Sequence, residues 1–539
     1  MSAKKNISAA LVPIALSLGI IGGIFIGKYT GVQKVSPTEE KLRMILDLIS
    51  GQYVDKINTD SLLDSTIPEL LASLDPHSVY IPASELQTTN DELEGSFGGV
   101  GIMFQVINDT VNVVEVVTGG PAEAVGILPG DMILDANGKK LSGAEVSNDV
   151  VFKTLRGQQG SKVKVNVKRP NSKKNLAFEI TRGDIPSHSV DASYMLDSKV
   201  GYIKVSKFAR NTYSEFLTAL VDLKSKGATK YVIDMRGNSG GYMDQAILMA
   251  NEFLPEGRMI VFTKGRTPEN ETYAVSDDSG QFHDAEVVVL ANEYSASAAE
   301  IFAGAIQDND RGLVIGRRTF GKGLVQNQIA LPDSSAIRLT VARYFVPSGR
   351  SIQKEYKRGA DGKYQMDIVN RYNNGEFYSQ DSIHLDKSKK FTTLGGRTVY
   401  GGGGIMPDIF VPEDTIGITS YYIEVMNQGL IQKFARELAK TYRPMLRDKK
   451  SIAEMDRVIP RDNALLTAFV NYAAAHGVPA RWYYINKSKG LLINMLRACI
   501  ARDLVGYEAF VEILNSEDPT VSKALRELSA GNSPTQIKP

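Results

Sequence analysis

The sequence predicts a multidomain α+β protein, and three observations carry that expectation. Its 539 residues are too many for one hydrophobic core. The apolar and charged fractions, 43% and 23%, are those of a folded globular chain. The texture also changes along the chain: helical spacing, then short alternating β runs, then strand–helix alternation, then helix again.

Residues 1–35 are read as a cytoplasmic tip and a signal anchor. Ser8 to Gly27 carry no charge and are flanked by Lys4, Lys5 and Lys28. As a helix such a run covers about 30 Å, one hydrocarbon core. A cleaved signal peptide is the competing reading, but its apolar region is usually ~7–15 residues and ends at a small-residue site. No Ala-x-Ala pattern follows here, so a retained transmembrane helix is expected, with the lysines keeping the N-terminus inside.

Residues 36–87 are expected to be helical from Leu42, Ile45, Leu46 and Ile49, although Leu74-Asp-Pro-His-Ser-Val-Tyr80 breaks the pattern. Residues 88–183 contain runs such as Val111–Val117 and Val163–Lys168 that suit a small β-rich domain. Residues 184–412 alternate strand candidates (Gly201–Ser206, Tyr231–Met235, Val287–Ala291, Leu313–Gly316) with helical patterns (Thr212–Lys226, Asp244–Phe253, Ala298–Asp308). That alternation predicts an α/β layer with parallel sheet. Residues 354–399 are polar, weakly patterned and read as an insertion in this core. Residues 413–539 are expected to form a helical domain, with Leu465, Leu466, Phe469, Val470 and Ala473 on one stripe and a disordered tail after Gly531.

Composition excludes several function classes. With 62 basic and 61 acidic residues the chain has no positive excess to hold nucleic acid. The lone Cys499 can form no intramolecular disulfide and reads as a buried thiol. The five histidines show no metal-site spacing, so no metal and no cofactor are expected.

Two short segments carry chemistry: Ala291-Asn-Glu-Tyr-Ser-Ala-Ser-Ala-Ala-Glu300 and Thr319-Phe-Gly-Lys-Gly323. Ser297 with Glu300 satisfies the capping box of any helix. Capping and catalysis are compatible, because a helix start exposes the hydroxyl beside N–H groups that hold an anion. Lys322 taken alone is a solvated surface lysine. As a base it must lose several units from about 10.4, through burial. Phe320, Leu324 and Val325 offer apolar walls, and Gln326 can orient the amine without adding charge.

Gly98-Gly-Val-Gly-Ile-Met-Phe104 and the long run Gly119–Gly138 resemble the PDZ domain of bacterial proteases. That resemblance implies peptide addition beside Gly98, Gly99, Val100, Gly101 and Ile102, with the terminal carboxylate in a nest of N–H groups. Further segments resemble the C-terminal processing peptidases (tail-specific proteases, family S41) in family order across roughly residues 36–412. They are Leu74–Tyr80, Asp234-Met-Arg-Gly-Asn-Ser-Gly-Gly241, Ser295–Ile306, Thr319–Gly323, Val346–Gln353 and Gly402–Asp408. The resemblance implies a crotonase-like core with Ser297 as nucleophile, Lys322 as base twenty-five residues on, and Gln326 as third polar residue. Ala298 with Gly240 or Gly241 would form the oxyanion hole. Arg156 falls at a position linked to communication between PDZ and protease. Ala299 and Ser239 depart from the family's usual Ser and Pro while leaving nucleophile and glycines intact.

The expected function is a serine endopeptidase cutting near the C-termini of exported or membrane proteins. It would sit in the bacterial inner membrane by one span, with its catalytic part on the periplasmic side. Expected partners are substrate tails, with an adaptor or a second copy of the chain through the C-terminal helices. The alternative is a non-catalytic, membrane-anchored PDZ scaffold.

Overall fold

The structure, a computed structural model, describes residues 36–532 apart from 108, 118, 144–145, 171, 173, 360–361, 385 and 447–450. The predicted anchor and the tail beyond 532 lie outside these residues. Among the described residues no helix is long and apolar enough to cross a membrane. The chain divides into a unit ending at Leu71 and a second from Ala72 onward.

In the first unit, Pro37–Gln52 opens with a reciprocal cap: Ser36 Oγ accepts the Glu39 N–H (3.2 Å) and the Glu39 carboxylate accepts the Ser36 N–H (2.8 Å). Leu42 and Ile45 are exposed, at 58% and 43%, while Leu46 and Ile49 are half-buried.

The second unit is built on a six-stranded sheet in the order Val190–Met195, Val200–Val205, Lys230–Asp234, Glu286–Ala291, Gly312–Gly316, Ile409–Phe410. Only the first pairing is antiparallel. Continuous apolar runs such as Val287-Val-Val-Leu290 are buried on both faces, as parallel strands under two helical layers require. Helices Thr212–Ser225, Met243–Asn251 and Ala298–Asp308 cover one face. On the other, Val232, Val288, Leu290, Leu313 and Ile315 pack against Val521, Ala524 and Leu528 of Pro519–Ala530.

That packing corrects the expected boundary at 413. Helices between Ser420 and Leu504 gather round their own core of Leu430, Phe434, Phe469 and Leu496. The last helix belongs to the six-stranded sheet, and Asp518 at its N-cap pairs with Arg236 at 2.7 Å.

A five-stranded sheet carries Ala336–Phe345, paired with Leu324–Ala330, Met259–Gly265 and Val79–Ile81; Thr272–Val275 extends it beyond Met259–Gly265. The 36–87 segment is therefore not helical throughout. Val79-Tyr-Ile81 is β-favouring, lies before Pro82, and completes an open strand edge. The following helix, Ala83–Glu94, runs past the expected boundary.

The small β domain has the strand order Ile102–Ile107, Thr110–Val116, Met132–Ala136, Lys162–Lys168, Leu176–Thr181. Val163, Val165 and Val167 point inward at period two and pack with Val111, Val113 and Ile133. Ile102–Ile107 is an edge strand, and helix Asn148–Leu155 buries Val151 and Leu155 in the same core. The insertion at 354–399 is structured, with helices Gly362–Gln365 and Asp367–Asn373 and a hairpin of Lys390–Thr392 with Thr398–Tyr400.

Candidate active site

Ser297 stands at the N-cap of Ala298–Asp308, a helix buried along its whole length. Its backbone has φ 56° and ψ −117°, a left-handed conformation unusual for a non-glycine residue. Such a residue costs about 1–3 kcal/mol and persists only where its surroundings over-determine it. Here they do. Glu300 Oε2 accepts the Ser297 N–H at 2.9 Å, and the Tyr344 hydroxyl lies 3.0 Å from the Ser297 carbonyl oxygen. Ser295 differs: its hydroxyl donates to the Met235 carbonyl (2.8 Å) and accepts the Asn292 N–H (3.0 Å). That hydroxyl is engaged in holding two loops together.

The same two groups that hold Ser297 hold Lys322. Glu300 Oε2 accepts the Lys322 N–H at 2.8 Å, and the Tyr344 hydroxyl also contacts the Lys322 carbonyl oxygen. Glu300 Oε1 accepts the Gly321 N–H at 2.8 Å and the Thr319 hydroxyl. One fully buried carboxylate thus ties the helix start to the glycine turn through four donors. Burial pushes the Glu300 carboxyl up to about 7 against those donors, which favour the ionised form. From sequence Glu300 reads as a cap; Tyr344 reads only as a strand residue.

The Lys322 amine donates to Gln326 Oε1 at 3.1 Å. Burial, reinforced by the Arg338 charge, holds this amine below its usual value, while Glu300 and Asp75 oppose the shift. The direction is the one a neutral base requires. Gln326 is fixed in turn by its Nε2, which donates to the His77 carbonyl. The His77 ring faces elsewhere, pairing through Nε2 with the Tyr364 hydroxyl at 2.6 Å. Burial and the Lys322 charge lower it to about 4, so it is neutral. Asp75 makes the turn, accepting the N–H groups of His77 and Ser78 at 2.8 Å each.

The glycine loop divides its labour differently from expectation. The Gly240 N–H donates to Asn238 Oδ1 at 2.8 Å. What Gly240 contributes is closeness: with φ +100°, a Cβ there would lie 2.6 Å from Ser297 Cβ and 3.0 Å from the Ala298 nitrogen. The N–H groups of Ala298 and Gly241 have no acceptor within the described residues. Ala298 follows Ser297 in the chain and Gly241 follows the glycine that approaches it, which makes these two N–H groups the candidate oxyanion donors.

In the β domain the five expected peptide-contacting residues separate. Gly98 and Gly99 pair with Asp184 and Gly183, and the Gly98, Val100 and Gly101 carbonyls accept from Gly157, Ala122 and Val117. Ile102 opens the edge strand facing Asn148–Leu155, where Phe104 and Phe152 meet at 5.2 Å. Arg156 makes no ion pair among the described residues. Its guanidinium stacks 4.1 Å above Phe97 and 4.9 Å from Phe152. No cluster of potential metal ligands occurs among the described residues.

Comparison with known proteins follows this geometry. The model of Peptidase family S41 matches residues 199–362, that of the PDZ domain residues 98–180, and that of a family of unknown function, DUF8443, residues 421–506. The chain is 38% identical over 314 residues to a carboxy-terminal-processing protease of Bartonella bacilliformis, covering 57% of this chain and 71% of that protein. It is 33% identical over 347 residues to the carboxy-terminal processing protease CtpA of Bacillus subtilis, covering 64% and 73%. Among solved structures, a photosystem II D1 C-terminal processing protease aligns at 28% identity and TM-score 0.35, over 60% of this chain and 85% of that one.

Proposed function

Because the chain belongs to peptidase family S41, the carboxy-terminal processing serine proteases, we propose that Ser297 is its nucleophile, Lys322 its base and Gln326 the residue orienting that base. Membership of a serine peptidase family replaces the non-catalytic scaffold reading. The observation that carries the assignment is the shared carboxylate: Glu300 Oε2 accepts both the Ser297 and Lys322 N–H groups, at 2.9 and 2.8 Å. One oxygen keeps the two backbone N–H groups close together, which supports pairing the Ser297 hydroxyl with the Lys322 amine.

In this reading Ser297 Oγ bonds to the scissile carbonyl carbon while its proton passes to the Lys322 amine. The oxyanion sits between the Ala298 and Gly241 N–H groups, each worth about 10²–10³ in rate. The ammonium then protonates the leaving amine as the C–N bond breaks, leaving an acyl-enzyme. Lys322 takes a proton from water, the hydroxide adds, and Oγ leaves with that proton. The products are a new C-terminal carboxylate and a free amine.

Substrate tails would add to the free edge of Ile102–Ile107 beside Asn148–Leu155, with Arg156 reporting occupancy to the core. The uncharged run Ser8–Gly27 supports a single membrane span, with the catalytic unit on the periplasmic side. The test digests an unstructured peptide with an apolar C-terminus, using wild type, Ser297→Ala and Lys322→Ala. Cleavage should vanish in both variants; equal cleavage by Ser297→Ala sinks the assignment. Amidating the peptide's carboxyl should slow cleavage, and an unchanged rate removes tail capture.

A further inference from the structure

The Thr319–Gly323 turn contains two glycines and needs support from outside itself. Glu300 supplies one side, through the Gly321 and Lys322 N–H groups. The other side comes from the insertion. Arg371, only 4% exposed, donates to the Thr319 carbonyl (3.0 Å) and the Arg318 carbonyl (2.7 Å). Its Nε pairs with Glu376 at 2.8 Å, and Glu376 also grips Arg318 at 2.7 Å. Lys354 N–H donates to the Gly321 carbonyl at 3.0 Å, while its ammonium lies 3.7 Å over the Phe320 ring and pairs with Asp367 at 3.0 Å.

We propose that the helices Gly362–Gln365 and Asp367–Asn373 form a strap that seats the Lys322 turn, with Arg371 as its positioning residue. The inference rests on Lys322 being the base. Arg371 touches no reacting atom; it acts through the carbonyls three and four residues before Lys322. Its planar fork suits the task, meeting a carboxylate and two carbonyls from three separate nitrogens, where an ammonium offers only one nitrogen. The S41 match ends at residue 362, where the first strap helix begins. Without it the glycine turn keeps its Glu300 contacts but loses the outer anchor that presses the amine into its desolvated seat.

The experiment measures kcat, KM and the pH dependence of kcat/KM on the full chain for Arg371→Ala, Arg371→Lys, Lys389→Ala and Lys322→Ala. Lys389 lies on the same insertion but pairs with Glu355 and Asp386. Arg371→Ala should lower kcat about 10–100-fold, as sub-ångström to ångström misplacement of a catalytic group does, with KM within about threefold. The acid limb of its pH profile should move to higher pH, because a resolvated Lys322 regains its ordinary proton affinity. Arg371→Lys should recover part of both, and Lys389→Ala should match wild type. A folded Arg371→Ala, or failing that a folded Arg371→Lys, with wild-type kcat and an unmoved acid limb overturns the strap while Lys322→Ala remains inactive. An active Lys322→Ala overturns the base assignment and the inference with it.

Discussion

Placing one methyl group at Gly240 tests the close approach between the glycine loop and the helix start. At Gly240 the backbone has φ +100°, which costs an L-residue about 1–2 kcal/mol. The added Cβ would also stand 2.6 Å from Ser297 Cβ, 2.8 Å from the Ala296 carbonyl oxygen and 3.0 Å from the Ala298 nitrogen. Carbon atoms pack at about 3.5–4.0 Å, so loop and helix must part by roughly 1 Å. Overpacking of this kind adds about 1–3 kcal/mol. The Ala298 and Gly241 N–H groups lie on the two parting elements, so kcat for Gly240→Ala should fall about 10²–10³-fold. On the proposed tail capture by the β domain, KM should stay within a few-fold. Gly237→Ala is the matched control: the same loop, φ +75°, and nothing within 4 Å of the added Cβ. It should lose stability through backbone strain alone and retain kcat within about threefold. Steady-state kinetics on a fluorogenic peptide, with thermal melts of both variants, decide the matter. If kcat of Gly240→Ala matches that of Gly237→Ala, the close approach does not shape the oxyanion site.

Ser295→Ala should lower Tm, because the Asn292 N–H loses its partner at about 1–3 kcal/mol while the Met235 carbonyl keeps the Asn238 N–H, yet keep cleavage; Ser297→Ala should do the reverse. Gln326→Glu sets a carboxylate on the Lys322 amine and should move the acid limb of kcat/KM up by about 1–2 pH units. Because burial holds the Lys322 amine below its unfolded value, the unfolded chain binds that proton more tightly, and stability is lost as pH falls through the lowered value. Lys322→Met should therefore be inactive and gain Tm over wild type as pH is lowered; a pH-independent difference counts against a desolvated amine. Deleting residues from Tyr507 onward uncovers the sheet face under Val521 and Leu528, each side chain worth about 1.5–3 kcal/mol, so the shortened chain should melt well below wild type or aggregate.

Local pattern sufficed for much of the architecture. Valine-rich runs became the parallel strands, Ala298–Asp308 became a helix with the predicted ends, and period-two valines made the small β domain. These depend on nearest neighbours and on periodicity, which a sequence displays directly. Ser297 and Lys322 stand out only through motif order, since taken singly one reads as a helix cap and the other as a surface lysine.

What lay beyond reach depended on contacts between distant segments. Glu300 is an ordinary cap until Thr319, Gly321 and Lys322 arrive to share its carboxylate. Tyr344 differs from any strand tyrosine only by meeting two carbonyls. Arg371 sits in a stretch with no pattern, and Asp518 looks like a cap of a remote helix until it meets Arg236. Gly240 and Gly241 are equal candidates for an oxyanion donor in the sequence, and loop geometry turns the Gly240 N–H to Asn238. The sequence by itself determined which elements form and which residue types could do the chemistry. The tertiary structure decided which polar groups find partners and how deeply the amine is buried, because hydrogen bonding and desolvation are set by atoms that chain order does not bring together.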